Sequence, residues 1–268
     1  MDDMLHVCSR LPEYFKSHPL ESPSSPTHNP YSWTYGMEGQ DWIKVVGRSP
    51  EKLRKFAIGI SGKWSTVPAV GIYPFDTELA PLSATCQRQN RVLVVDVGAS
   101  QGGTMKEIRQ AFPRLTGRII TQDLARVVDH VPAGYLPPEL DIHPTVHDFW
   151  TPQPVRNAQD PLFDEKISSD DESGLADRDV VCRTILRHNV DAMGPDSRLL
   201  IAEVLVPDRV QKEELYCYWM DLTVLTFAGR ERSEADWRDL FESVGLALVK
   251  VWRAEVGTQA VVEGRLRR

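Results

Sequence analysis

A glycine-rich turn, residues 98–103, follows an apolar and mostly β-branched run, residues 91–97, and precedes an amphipathic run, residues 104–112. Small residues in such a turn let a ligand approach the backbone, and a strand, turn and helix in this order are typical of a nucleotide-binding βα unit. Asp123 ends a second apolar run about 25 residues after Gly98, where an acid can accept hydrogen bonds from ribose hydroxyls. Together the two features favour a cofactor site over a glycine turn with no ligand.

The spacing Gly98-x-Ser100-x-Gly102 differs from the dinucleotide pattern G-x-G-x-x-G. Serine stands where that pattern has the glycine that lets a pyrophosphate approach. The turn therefore favours a nucleoside cofactor without pyrophosphate, such as S-adenosyl-L-methionine. Further along, Asp148 and Phe149 end a predicted third strand, residues 142–149, where an acid can hydrogen-bond to an adenine and an aromatic ring can cover it.

Composition and charge exclude several classes of function. The net charge of −7 supplies no basic field for nucleic acid, and no apolar run approaches the roughly 18 residues of a membrane span. The four cysteines show no C-x-x-C spacing, and the first residues lack the pattern of a signal peptide. We expect a cytoplasmic protein with a small-molecule substrate, no nucleic-acid or membrane partner and no metal site.

The order of the elements predicts an α/β protein. Short helices and a proline-rich linker fill residues 1–75, and strands alternate with helices over residues 76–268, so we predict two parts with these bounds. Residues 158–180 lack both periodicity and a sustained apolar run, and we predict a loop or disorder there. Later elements are a helix over 180–193, a strand over 199–207, helices over 210–227 and 234–244, and strands over 246–253 and 259–266.

Seven motifs in this order resemble the caffeate-type S-adenosylmethionine-dependent O-methyltransferases, in particular their fungal secondary-metabolism branch. They are Leu93-Val-Val-Asp-Val-Gly98, Gln122-Asp-Leu124, His147-Asp-Phe-Trp-Thr-Pro-Gln-Pro154, Ile185-Leu-Arg187, Ala192-Met193, residues 199–208 and Gly229-Arg-Glu-Arg-Ser233. The resemblance implies a Rossmann-like methyltransferase sheet with helices on both faces, preceded by short helices. It also implies that Gly98 and Gly102 cradle the methionine part of the cofactor, that Asp123 holds the ribose, and that Asp148 and Phe149 address the adenine.

In this family a methyl group passes to a phenolic oxygen while a histidine base, supported by two glutamates, takes the proton. Glu203 and Glu231 match the glutamates, but Leu175-Ala176-Asp177 stands where the family has His-Asp-Trp, and no histidine lies between His147 and His188. We therefore identify no general base. Three interpretations stay open. The first is an O-methyltransferase acting on a phenolic hydroxyl of a small aromatic or polyketide-like metabolite, and the second is a cofactor-binding scaffold or catalyst of a rearrangement or cyclisation. The third is a fragment or interaction protein that binds no cofactor.

The resemblance also leaves the central fourth strand in doubt, because the family places it within the polar residues 158–180. A fault in the coding sequence, a short substitute strand at Pro161–Phe163 or Lys166–Ser168, or a degenerate inactive copy would each account for this segment. We favour the first or the last. The chain also lacks most of the N-terminal dimerisation domain that the resemblance implies, so we expect an N-terminally truncated protein that is a monomer or a weak homodimer.

Overall fold

The computed structural model describes residues 2–55, 70–164, 178–209 and 212–267. Its helices are α1 Asp2–Ser17, α2 Pro30–Thr34, α3 Trp42–Gly47, α4 with its described part at residues 50–55, α5 Phe75–Glu78, α6 Ala80–Arg88, α7 Gly103–Ala111, α8 Ala125–Val128, α9 Arg178–Val190, α10 Leu215–Leu225 and α11 Glu234–Ser243. Its strands are β1 Val94–Val97, β2 Ile119–Asp123, β3 Ile142–Val146, β4 Asp160–Asp164, β5 Leu199–Val204, β6 Leu246–Arg253 and β7 Gln259–Leu266. Two 3-10 turns, Pro138–Leu140 and Lys212–Glu214, complete the described elements.

The chain forms two compact units that interleave along the sequence. The first comprises Met1–Thr66, Ile167–Cys182 and Val204–Ser233, and the second comprises Val67–Lys166, Arg183–Glu203 and Glu234–Arg268. The sequence predicted a single division between residues 75 and 76. The structure instead joins residues 204–233 to the N-terminal helices.

The first unit is helical and has its own apolar core. Val7 of α1, Tyr31 of α2, Trp42, Val45 and Val46 of α3, and Phe227 after α10 are buried together. Residues 50–55 begin at the predicted Ser49 cap, where the backbone N–H of Lys52 donates to Ser49 Oγ at 3.3 Å. The predicted helix over 210–227 is shorter than expected, since α10 covers Leu215–Leu225 after the 3-10 turn.

The second unit is built on a seven-stranded sheet with the order β3-β2-β1-β4-β5-β7-β6. β1 pairs in parallel with β2 and β4, β2 pairs with β3, and β4 pairs with β5, whereas β6 and β7 are antiparallel. All four residues of β1 are buried, as expected for the middle of a parallel sheet. The predicted α/β class is confirmed.

The fourth strand, which the sequence left in doubt, is present in the centre of this sheet. β4 lies between β1 and β5, with Asp96 opposite Leu162 and Leu162 opposite Leu200. The predicted loop over 158–180 is therefore wrong at both ends, because Asp160–Asp164 is a strand and α9 begins at Arg178. The substitute strand at Pro161–Phe163 is confirmed. The Lys166–Ser168 alternative and Leu175–Asp177 lie outside the described residues.

Arg109 of α7 connects three segments of the second unit. Its guanidinium donates to the carbonyl oxygens of Leu115, Gly117 and Leu140, and only 7% of the residue is exposed. The carbonyls would otherwise lack partners in a buried region, which is costly. One side chain thereby fixes the path from α7 to β2 and to the turn before β3. Within the described part of the chain, no helix is long and apolar enough to cross a membrane.

Candidate cofactor site

The glycine turn after β1 is fixed to the end of β2 by backbone hydrogen bonds. The N–H groups of Gly98 and Ala99 both donate to the carbonyl oxygen of Gln122, at 2.8 and 3.0 Å. Gly98 has φ +75° and Gly102 has φ +82°, in the left-handed region that favours glycine. Gly102 is also the N-cap residue of α7, so the turn places the helix directly after it.

The two glycines of the turn are required for different reasons. A Cβ at Gly102 would lie 3.1 Å from Leu136 Cδ1 and 3.4 Å from Thr121 Cγ2, so this position is closed by protein packing. A Cβ at Gly98 would meet nothing within 4 Å. The space beside Gly98 is thus open, as a turn that admits a ligand to its backbone requires.

Asp123 is the last residue of β2, and backbone amides hold both of its carboxylate oxygens. Oδ2 accepts from the N–H of Ser100 at 2.8 Å, and Oδ1 accepts from the N–H of Leu124 at 2.8 Å. The side chain is half-buried, and an ionised carboxylate has acceptor capacity for further donors. The structure therefore brings Asp123 to the glycine turn with its carboxylate oriented and able to accept from ribose hydroxyls.

Asp148 and Phe149 lie beyond β3 and not in it as predicted, because β3 ends at Val146. They occupy a turn in which the carbonyl oxygen of Asp148 accepts from the N–H and the Oγ1 of Thr151, at 2.9 and 2.7 Å. Asp148 Oδ1 accepts from the N–H of Trp150 at 3.0 Å. The carboxylate is exposed, and the rings of Phe149 and Trp150 lie with centroids 5.8 Å apart.

His147 precedes this turn and joins it to β2, since its N–H donates to the carbonyl oxygen of Asp123 at 2.9 Å. The residue is 8% exposed, and this burial lowers the pKa of the imidazole below its ordinary value. The charge of His188 lowers the pKa further, whereas Asp148 raises it. Burial disfavours the cation, so His147 is neutral at physiological pH.

Glu203 and Glu231, the two predicted supporting carboxylates, are both half-buried. Glu203 lies in β5 of the second unit. In the first unit, the N–H of Glu231 donates to Asp221 Oδ1 at 3.0 Å. The neighbouring Arg232 donates to Asp179 Oδ1 at 2.8 Å and accepts at its carbonyl from the N–H of Val206 at 3.0 Å. The backbone at Glu231 is thus fixed, and the catalytic role of both glutamates stays a prediction.

Sequence reasoning missed two backbone groups of the site, the N–H of Ser100 and the carbonyl oxygen of Gln122, which any residue carries. The pairing of β1 with β2 brings the first to the Asp123 carboxylate and the second to Gly98 and Ala99. Among the described residues, no group of three or more His, Cys, Asp or Glu side chains could hold a metal ion.

A glycine turn after the first strand of a parallel sheet and an acid at the end of the second strand are typical of the Rossmann-like nucleotide-binding folds. The chain matches the O-methyltransferase domain family over residues 20–247, and it belongs to that family. It is 30% identical to the O-methyltransferase hmp5 of Hypomyces subiculosus over 262 residues, which cover 96% of this chain and 62% of that protein. It is 29% identical to the O-methyltransferase desB of Aspergillus desertorum, covering 100% of this chain and 62% of the relative.

Solved structures show the same fold at lower identity. The structure of LepI in complex with SAM matches with a TM-score of 0.82 at 22% identity, over 98% of this chain and 64% of that one. The crystal structure of OxaC in complex with sinefungin and meleagrin matches with a TM-score of 0.77 at 24% identity, over 99% of this chain and 64% of that one. The chain therefore spans a little under two thirds of the length of these relatives.

Proposed function

We propose that the protein binds S-adenosyl-L-methionine in the second unit and transfers its methyl group to a phenolic hydroxyl of a small aromatic or polyketide-like secondary metabolite. The observation that carries the proposal is the Asp123 carboxylate, held by the amides of Ser100 and Leu124 beside the open turn at Gly98. Membership of the O-methyltransferase domain family supports the same cofactor. The reducing cytoplasm is the setting that we propose for this reaction.

The proposal assigns residues to each part of the cofactor. Gly98 and Gly102 would hold the methionine part, Asp123 the ribose hydroxyls, and Asp148 with Phe149 the adenine. When bound, the cofactor would supply a methyl carbon on a sulfonium, to which a phenolic oxygen can bond in line while the carbon–sulfur bond breaks and S-adenosylhomocysteine leaves. Within this chain, Glu203 and Glu231 would orient the group that takes the phenol proton. The sequence assigns no residue to that group.

The positions of the histidines in the sequence favour a second candidate function. No histidine lies between His147 and His188, so the protein would instead bind the cofactor without transferring its methyl group. It would then serve as a scaffold or catalyse a rearrangement or cyclisation of a polyketide-like substrate. One structure of the same fold, with a TM-score of 0.82 at 21% identity, is described as a pericyclic reaction enzyme.

Calorimetric titration of the full chain with S-adenosylmethionine and S-adenosylhomocysteine tests cofactor binding. We expect binding of both, and we expect Asp123→Ala to weaken it about tenfold or more, because a hydrogen bond to a charged group contributes about 1.5–3 kcal/mol. Asp129→Ala is the matched control, since Asp129 is an exposed carboxylate just after α8. A folded protein that binds neither ligand would contradict both candidate functions.

Product analysis separates the two candidates once binding is established. A panel of phenols incubated with labelled cofactor and followed by mass spectrometry should show a gain of one methyl group on oxygen for the first candidate. The second predicts an isomerised or cyclised product of unchanged mass, with no consumption of the cofactor.

A further inference from the structure

The turn that carries Asp148 and Phe149 is tied at both ends to two consecutive residues of β2. Upstream, the N–H of His147 donates to the carbonyl oxygen of Asp123 at 2.9 Å. Downstream, Gln153 and Gln122 form a reciprocal amide pair: Gln122 Nε2 donates to Gln153 Oε1 at 2.9 Å, and Gln153 Nε2 donates to Gln122 Oε1 at 2.8 Å. The turn cannot shift without breaking one of these two connections.

Local sequence explains why the downstream connection uses a side chain. Gln153 stands between Pro152 and Pro154, and proline has no backbone N–H to donate. The amide of Gln153 supplies the missing connection and is fully used. Its Oε1 also accepts from the N–H of Val155 at 3.1 Å, and its Nε2 also donates to Asn189 Oδ1 of α9 at 3.2 Å.

These hydrogen bonds are shielded from water. Gln122, Gln153 and Asn189 are exposed by 2%, 3% and 2%. A buried polar network of this kind holds its members in one arrangement when every member is satisfied. We call Gln122 and Gln153 the amide pair.

Gln122 also holds the glycine turn, because its carbonyl oxygen accepts from Gly98 and Ala99. The next residue, Asp123, is the candidate ribose carboxylate. The end of β2 thus supports the glycine turn, the ribose carboxylate and the turn with Asp148. The amide pair is the connection that fixes the turn with Asp148.

We propose that the amide pair positions Asp148 and Phe149 for recognition of an adenine base, with Gln153 as the positioning residue that sets base selectivity. This inference rests on the proposed binding of S-adenosylmethionine. The exocyclic amine of adenine can donate to a carboxylate, whereas hypoxanthine has a carbonyl oxygen at that position and cannot donate there. A site built to accept from an amine rejects an analogue that lacks it, provided that the acceptor is held in place.

The test compares Gln153→Leu with Gln159→Leu. Gln159 is the matched control, because it is also a buried glutamine of the second unit, 5% exposed, and its side chain is hydrogen-bonded. Its Nε2 donates to the carbonyl oxygen of Asp196 at 2.9 Å. The probes are S-adenosylhomocysteine and its analogue with hypoxanthine in place of adenine, titrated by calorimetry at a temperature where thermal melting shows each variant folded.

We expect Gln153→Leu to raise the Kd of S-adenosylhomocysteine about tenfold, the size of one hydrogen bond, and to reduce the preference for adenine over hypoxanthine by a similar factor. Gln159→Leu should lower the melting temperature and leave both quantities within about twofold of the wild type. Equal preference in Gln153→Leu and the wild type would overturn the proposal, because a residue that only contributes to stability would give that result.

The double variant Gln122→Leu/Gln153→Leu covers the case in which Gln153→Leu does not fold. Removing both members of the pair leaves fewer buried polar groups unsatisfied than removing one. Reduced preference in the double variant supports positioning by the amide pair, and restored wild-type preference overturns it. Failure of the wild type to bind S-adenosylhomocysteine would be a different result, since it removes the proposed function itself.

Discussion

At the scale of single residues, the two glycines of the glycine turn are needed for different reasons, which the sequence pattern does not distinguish. Gly98 and Gly102 both have positive φ, but only Gly102 is closed in by neighbouring side chains. The types and spacing of Gly98, Gly102 and Asp123 were sufficient to predict that the three residues lie together at one turn, and their roles toward a ligand stay predictions. The sequence could not show that Ser100 and Gln122 hold them together, since those contacts depend on the register between β1 and β2.

Substitution of Gly98 by alanine distinguishes backbone strain from loss of ligand space. We expect Gly98→Ala to lower the free energy of unfolding by about 1–2 kcal/mol, the cost of a side chain at positive φ, and to weaken S-adenosylhomocysteine binding about tenfold or more. Gly257→Ala is the control, because Gly257 has φ +89° and nothing within 4 Å of an added Cβ. Chemical denaturation should show that the free energy of unfolding falls by a similar amount in both variants. Unchanged calorimetric affinity in Gly98→Ala would contradict a ligand beside this turn.

At the scale of elements, the antiparallel β6 and β7 were predicted with their observed bounds, whereas β4 was predicted only as one of several alternatives that were not favoured. β6 and β7 are eight residues long and contain two valines each, but β4 has five residues and offers only Leu162 and Phe163 between acidic residues, with Pro161 at its second position. A proline argues against a central strand. In this sheet Pro161 lies opposite Val95 of β1, and the pairing of β4 with β5 begins at Leu162. Pairing with β1 and β5, and not the residue types of β4 itself, therefore makes this segment a strand.

Hydrogen exchange tests whether β4 is a central strand in solution. Backbone amides of Leu162 and Phe163 should exchange on the slow timescale of the β1 amides, because both strands are paired on two sides. The exposed turn between β6 and β7, residues 254–258, provides the fast reference within the same unit. Exchange of the β4 amides at the rate of this turn would show that the sheet is open at its centre.

Arg109 is the side chain on which the connection from α7 to β2 depends. Arg109→Lys keeps the charge but cannot reach three carbonyl oxygens with a fixed planar fork, so we expect a loss of about 2–4 kcal/mol in the free energy of unfolding. Arg114→Lys, at a position whose side chain is 80% exposed, should change it by less than about 0.5 kcal/mol. Denaturant titration of the two variants measures the difference. Equal stability would mean that water or other donors replace the guanidinium.

At the scale of the whole molecule, the predicted division after residue 75 reflects what a linear sequence can show. Composition changes near that point, but the packing of residues 204–233 with the N-terminal helices has no local signal. Tyr31 N–H donates to the carbonyl oxygen of Thr226 at 2.9 Å, and Phe227 packs with Val7 and Trp42. Contacts between residues so far apart in sequence are set by the three-dimensional fold alone.

His147 and Asp196 are two groups whose lowered pKa values make the stability of the chain depend on pH. The pKa of His147 is lowered by burial, and the pKa of Asp196 is lowered chiefly by its hydrogen bond to Arg91. For both, the unfolded chain binds a proton that the folded chain does not over a range of pH, so stability falls as the pH falls. The contribution of His147 to stability is lost below about pH 6.5 and that of Asp196 below about pH 4, which are the ordinary pKa values of the two side chains.

We therefore predict a loss of stability that begins near pH 6.5 on acidification and is removed by His147→Gln. The slope between pH 6.5 and the lowered pKa of His147 is at most about 1.4 kcal/mol per pH unit, because one proton is involved. His143→Gln is the control, since the His143 side chain is 53% exposed. Denaturant titrations from pH 4.5 to 8 should give parallel curves for the wild type and His143→Gln and a flatter curve for His147→Gln. A slope that survives in His147→Gln would assign the pH dependence to another group.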